Sequence, residues 1–151
     1  MEKRPKAHII RDYRRSVLIW LHLVRVHNRI AHEQYTLLAA HGLTYAQFDV
    51  LAHLAAEPGL SQQALAERLL VTKGNICGLI DRLENAGLVE RQGDPADRRA
   101  HRLYITAAGL HAYQATAPQV EADLARRMAV LSPDEQATLL ALLGKLDRAS
   151  R

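Results

Sequence analysis

The sequence predicts a mainly α protein with one small β-hairpin. Three observations predict it. Of 151 residues, 48% are apolar but only 5% aromatic, and an alanine- and leucine-rich composition favours helix. Apolar residues recur at helical spacing through most of the chain. Only around residues 88–105 does the pattern change to alternation, on either side of the turn-forming run Gly93-Asp94-Pro95-Ala96-Asp97. A chain of this length is one domain's worth and can bury a real core.

The first element is a long helix from about Asp12 to Ala40. Val17, Leu21, Val24, Asn28, Tyr35 and Leu38 mark one face, and Ile19, Leu23, Val26 and Ile30 the opposite one. A helix apolar on two sides needs two partners, and in so small a chain one is expected to be a second subunit. His41-Gly42 ends this helix. Thr44-Tyr45-Ala46-Gln47 is a capping box for the next, whose expected buried stripe is Phe48, Leu51, Ala52 and Ala55. Glu57-Pro58-Gly59 stops it.

Residues 61–102 carry two short helices, a tight turn and the hairpin. Ser61 caps the first helix, with Leu65, Ala66 and Leu69 as its apolar stripe. Only Leu70, Val71 and Thr72 intervene before Thr72 caps the second, so the two helices must pack at a steep angle. In that second helix Ile76, Leu79, Ile80 and Leu83 form one buried face. The other face carries Lys73, Gly74, Asn75, Gly78, Asp81, Arg82 and Asn85. Each glycine costs a helix about 1 kcal/mol relative to alanine and asks for a reason. One is close approach to another surface such as a DNA major groove, where Asn75 reads adenine and Lys73 reaches guanine or phosphate. The other is relief of crowding against a neighbouring protein helix. Gly87 ends the helix, Leu88 to Gln92 is the first strand and Arg99 to Ile105 the second, with Arg98 and Arg99 at the tip, either meeting DNA or pairing with Asp94 and Asp97. This order of elements is that of a winged helix-turn-helix.

After the hairpin, Thr106 caps a helix running towards Met128, which Pro118 is expected to kink or split. Ser132-Pro133-Asp134-Glu135 is a second capping box, opening a final helix with Leu139, Leu140, Leu143 and Leu146 in line. Helices with spare apolar faces at both chain ends suggest a dimerisation region built from the two termini. A two-fold dimer would set two reading helices roughly 34 Å apart on a near-palindromic site.

The run VTKGNICGLIDRLENAGLVER, followed by DPADRR and then LYIT, resembles the MarR family of bacterial transcriptional regulators. The likeness covers nearly the whole chain. It implies an N-terminal arm and dimerisation helix over residues 1–40, a winged helix-turn-helix DNA-binding region over 41–105 and C-terminal dimerisation helices over 106–151. The expected DNA-facing set is Ser61, Gln62, Thr72, Lys73, Asn75, Arg82, Arg98 and Arg99. One departure is Leu70, where many relatives place a glycine or a polar residue. The implied function is a sequence-specific, ligand-responsive repressor that binds double-stranded DNA as a homodimer. In the family, lipophilic phenols or carboxylates lodge between the dimerisation helices and the DNA-binding core. Trp20, Arg25, His27 and His53 are the wall residues expected here, each with a plainer alternative as core or solvated side chain.

The net charge of +4 is unevenly placed: residues 1–40 hold eight lysines and arginines against three acids, residues 41–105 seven against eight, and the rest five against five. The DNA-binding case therefore rests on placement, with Arg91, Arg98, Arg99 and Arg102 gathered along the wing. The single cysteine, Cys77, excludes an internal disulfide and fits a reducing cytosol; it reads as a small buried hydrophobe or, alternatively, a thiol switch. His22, His27 and His32 recur every five residues, about 140° apart, so they share no helix face; a zinc site would need His101, His111 or Glu33 as well. No phosphate loop, HExxH or nucleophile elbow is present, so no cofactor and no enzymatic role is expected. The apolar run after the basic N-terminus is too short to span a bilayer, and a cytoplasmic protein with no membrane partner is expected. A winged helix serving a protein partner is the other-class alternative.

Overall fold

The computed structural model describes residues 7–93 and 101–150, the side chains from Arg14 onward. Helix α1 (Ala7–Ala40) leads to α2 (Tyr45–Ala56), β1 (Leu60–Ser61), α3 (Gln62–Arg68) and α4 (Lys73–Asn85). The hairpin strands β2 (Val89–Gly93) and β3 (His101–Ile105) follow, then α5 (Ala107–Met128) and α6 (Pro133–Ala149). The architecture is mainly α with one small antiparallel sheet.

Local chemistry fixes most of these starts. Thr44 and Gln47 close a reciprocal capping box on α2, and Ser132 and Glu135 do the same on α6. Ser61, Thr72 and Thr106 each accept a bond from the N–H three residues on, at the heads of α3, α4 and α5. Gly42 and Gly87 take left-handed backbone just past α1 and α4.

The core lies inside the helix-turn-helix and its sheet. Ile76, Leu79, Ile80 and Leu83 of α4 are buried as their spacing requires, against Leu65, Val89 and Leu103. In α2 the buried stripe is Val50, Leu51 and Leu54, while Phe48, Ala52 and Ala55 are half-buried. The stripe is turned from the expected one because Phe48 meets Tyr113 of α5, ring centroids 5.7 Å apart, at the core's margin. The sheet has three strands in the order β1-β3-β2, not two. Leu60 pairs with Leu103 and Ser61 with Arg102, a strand of two residues too short to announce itself by alternation.

Helix α5 runs unbroken through Pro118. Pro118 and Gln114, whose carbonyl loses a partner, are both on the exposed side, where the unpaired carbonyl is open to solvent. Glu33 of α1 and Asp123 of α5 both receive bonds from Arg127, and His41 and Gln119 meet at 2.9 Å, so α1 is tied to α5. Helix α6 buries no residue. Its Leu140 is 73% exposed, as Trp20 on α1 is 65% exposed. Such apolar surface at both chain ends is what an intermolecular contact uses. No described helix is long and apolar enough to cross a membrane.

Candidate nucleic-acid interface

Helix α4 stands on its buried face and turns the other outward. Lys73, Gly74, Asn75, Asp81, Arg82 and Asn85 are exposed, and Gly78 is half-buried. A Cβ at Gly74 would meet nothing within 4 Å, and one at Gly78 only the Arg82 guanidinium at 3.6 Å. Crowding by the described residues therefore does not explain either glycine. They leave a low strip of helix backbone beside Asn75, whose side-chain amide is not engaged by any described residue.

The turn into α4 holds Leu70 in left-handed backbone, φ +53°. That conformation suits glycine and is disfavoured for other L residues. Leu70 is also 91% exposed, so no packing accounts for the choice of leucine. With Val71 and Lys73 it borders a groove of about 590 Å³ between α3 and α4.

Two expected contact residues are used within the chain. The Ser61 hydroxyl accepts from the Ala64 N–H at 3.1 Å. Gln62 Nε2 donates to Cys77 Sγ at 2.8 Å, which places the cysteine at the edge of the α3–α4 packing, half-buried. Thr72 Oγ1 accepts from the Asn75 N–H at 3.3 Å and remains exposed.

Along the hairpin, Arg91 is not a cation held out for a partner. Its Nη2 donates to Asp81 Oδ1 at 2.5 Å, its Nη1 to Glu84 Oε2, and its backbone N–H to Glu84 Oε1 at 3.3 Å. Sequence reading grouped it with the wing arginines, because the only signal was a pair of acids at i and i+3 on the neighbouring helix. Arg102 donates through Nη1 to the Gly59 carbonyl at 3.0 Å, bracing β3 against the turn between α2 and β1. Arg98 and Arg99, with Asp94, Pro95 and Asp97 of the expected turn, lie outside the described residues.

Among the described residues, the four expected ligand-wall positions are spread over different surfaces. Arg25 lines a groove of about 620 Å³ along α1 with Arg29 and His32. His27 lines another, of about 570 Å³, between α1 and the leucines of α6. Trp20 borders neither, and His53 sits on α2 with its Nε2 3.8 Å from Asp49 Oδ1. Among the described residues no group of three or more His, Cys, Asp or Glu is placed to hold a metal.

Residues 41–100 match the model of the MarR family. The transcriptional regulator HosA of Escherichia coli O111:H- is 35% identical over 107 residues, 71% of this chain and 79% of HosA. The solved structure of a MarR mutant from E. coli complexed with operator DNA superposes with a TM-score of 0.81 at 27% identity, covering 89% of this chain and 96% of that one. BpsR of Bordetella bronchiseptica, whose DNA binding is regulated by 6-hydroxynicotinic acid, gives 0.78 at 25% identity, over 86% and 98%.

Proposed function

Because the chain belongs to the MarR family and is a transcriptional regulator of that type, we propose that it binds a near-palindromic operator as a homodimer and represses until an effector releases it. Residues 41–105 form the reading head in this proposal, and residues 1–40 and 106–151 the pairing region. Helix α4 enters the major groove with Lys73, Asn75 and Arg82, Thr72 approaches at its head beside Ser61 and Gln62, and Arg98 and Arg99 at the wing tip meet the flanking phosphates or minor groove.

The reading rests chiefly on the outward face of α4. An exposed helix that presents Lys73 and the unengaged side-chain amide of Asn75 beside two glycines, crowded by none of the described residues, is shaped for close approach to a flat-walled groove. The unburied leucines of α6 and the apolar side of α1 supply the surface for a second copy. For the effector, a small lipophilic or phenolic acid fits: Arg25 has Arg29 and His32 beside it to receive a carboxylate, and Trp20, His27 and His53 lie on the elements that a paired subunit would bring together.

Fluorescence anisotropy on the DNA upstream of its own gene, against a scrambled duplex and across a salt series, tests this. The expected result is tighter binding to the upstream DNA, falling linearly in log salt, and release by an aromatic hydroxy acid. Equal weak binding to both duplexes at every salt concentration sinks the operator reading.

A further inference from the structure

Two carboxylates belong to the part of α4 that would approach DNA, Asp81 on the outward face and Glu84 at its half-buried flank. Asp81 is 57% exposed and Glu84 38%. On a helix that enters a groove walled by phosphates, such groups are repelled, because like charges a few ångströms apart interact strongly where water is squeezed out. The same face nevertheless carries Lys73, Asn75 and Arg82, so the acids have to be held aside and balanced without consuming those residues.

Arg91 meets that need. Only 21% exposed, it reaches both acids at once, Asp81 at 2.5 Å and Glu84 through the other arm of the guanidinium, while its backbone N–H adds a third bond to Glu84. A planar fork with several fixed donors can hold two carboxylates where the point charge of a lysine cannot. Arg91 is itself anchored, since it stands opposite the fully buried Leu103 in the β2–β3 ladder.

We propose that Arg91 is a positioning residue for DNA binding: it touches no DNA and acts through Asp81 and Glu84, holding the two carboxylates and their charge away from the phosphates. The inference rests on the DNA-binding reading above.

The test uses a duplex enriched from a random pool by the full-length wild-type protein, with binding and thermal melting measured for R91Q, D81N/E84Q and the triple variant R91Q/D81N/E84Q. R91Q is expected to bind about tenfold or more weakly. The triple variant recovers most of that loss, because the groups left uncompensated in R91Q are gone. R91K, which keeps the charge but reaches one acid, falls between wild type and R91Q and carries the test if R91Q does not fold. A merely structural brace, or a direct phosphate contact, would leave the triple variant as weak as R91Q, and either result overturns the proposal. Wild-type binding by R91Q overturns this inference alone, whereas a wild-type protein that enriches no sequence overturns the DNA reading and this inference with it.

Discussion

No Cβ can stand on Gly109, because the carbonyl oxygen of Leu88 occupies its place. The first turn of α5 thus rests directly on the backbone that leaves α4. Thr106 pins the contact, its hydroxyl donating to the Gly87 carbonyl at 2.7 Å and its N–H to that of Leu88 at 3.1 Å. Gly109→Ala is therefore expected to destabilise the protein by about 3 kcal/mol, the upper range for forcing atoms into a packed site. Thermal denaturation reads this directly, and an unchanged melting temperature would mean that α5 can lift off the turn without cost.

Leu70 gives the opposite sign. Its left-handed backbone costs a non-glycine residue about 1 kcal/mol, and its exposed side chain returns little by packing. Leu70→Gly should raise the melting temperature slightly, the relief of strain outweighing the added freedom of the unfolded chain. Leu70→Val, β-branched at the same φ, should lower it. Equal melting of the two variants would remove strain from the account.

Acid stability should depend on Arg127. Its bonds to Glu33 and Asp123, reinforced by its charge, hold both carboxyls below their usual range. Groups whose folded pKa is lowered stabilise above the unfolded value, near 4, and lose that contribution as the pH falls through the folded value. Melting curves between pH 7 and pH 3 should therefore show a smaller acid loss for Arg127→Gln than for the wild type. Asp49 runs the other way. Burial pushes its carboxyl up, opposed by His53, so its proton is lost at a cost as the pH rises. Asp49→Asn should stabilise the protein at pH 7, and a destabilised variant there would contradict the sign.

Self-association should be separable from folding. No residue of helix α6 is fully buried within its own chain, and Leu140 and Leu142 are 73% and 56% exposed, so Leu140→Asp with Leu142→Asp should leave the helical circular dichroism intact. Dimerisation, measured by sedimentation, is expected to weaken at least tenfold, since charge is forced into an apolar contact. Unchanged sedimentation would move the pairing surface elsewhere.

Base reading and phosphate contact should also come apart. Asn75→Ala should cost about 1–3 kcal/mol on the preferred duplex and relax the preference at one base pair. Arg98→Ala with Arg99→Ala should weaken binding to all duplexes alike and reduce the salt slope by about two. Identical effects of the two changes on a panel of single-base variants would deny the division.

What the sequence by itself determined is whatever a residue settles with its near neighbours. A hydroxyl at Thr72 or Ser132 caps a helix by reaching three residues along, and Gly87 accepts left-handed backbone wherever it stands. The period of Ile76, Leu79, Ile80 and Leu83 fixes which side of α4 is buried, and so which side offers Lys73, Asn75 and Arg82. For the same reason the outward face of the candidate site was legible before the fold was known. Only the tertiary structure decided that Leu60 and Ser61 form a third strand on residues some forty positions away, that Gly109 is required by Leu88, and that Arg91 is committed to Asp81 and Glu84. Gln62 likewise read as a free contact residue until packing gave it Cys77. Periodicity says which way a side chain points, but whether a charge meets an acid or solvent depends on distances that exist only after the elements have packed.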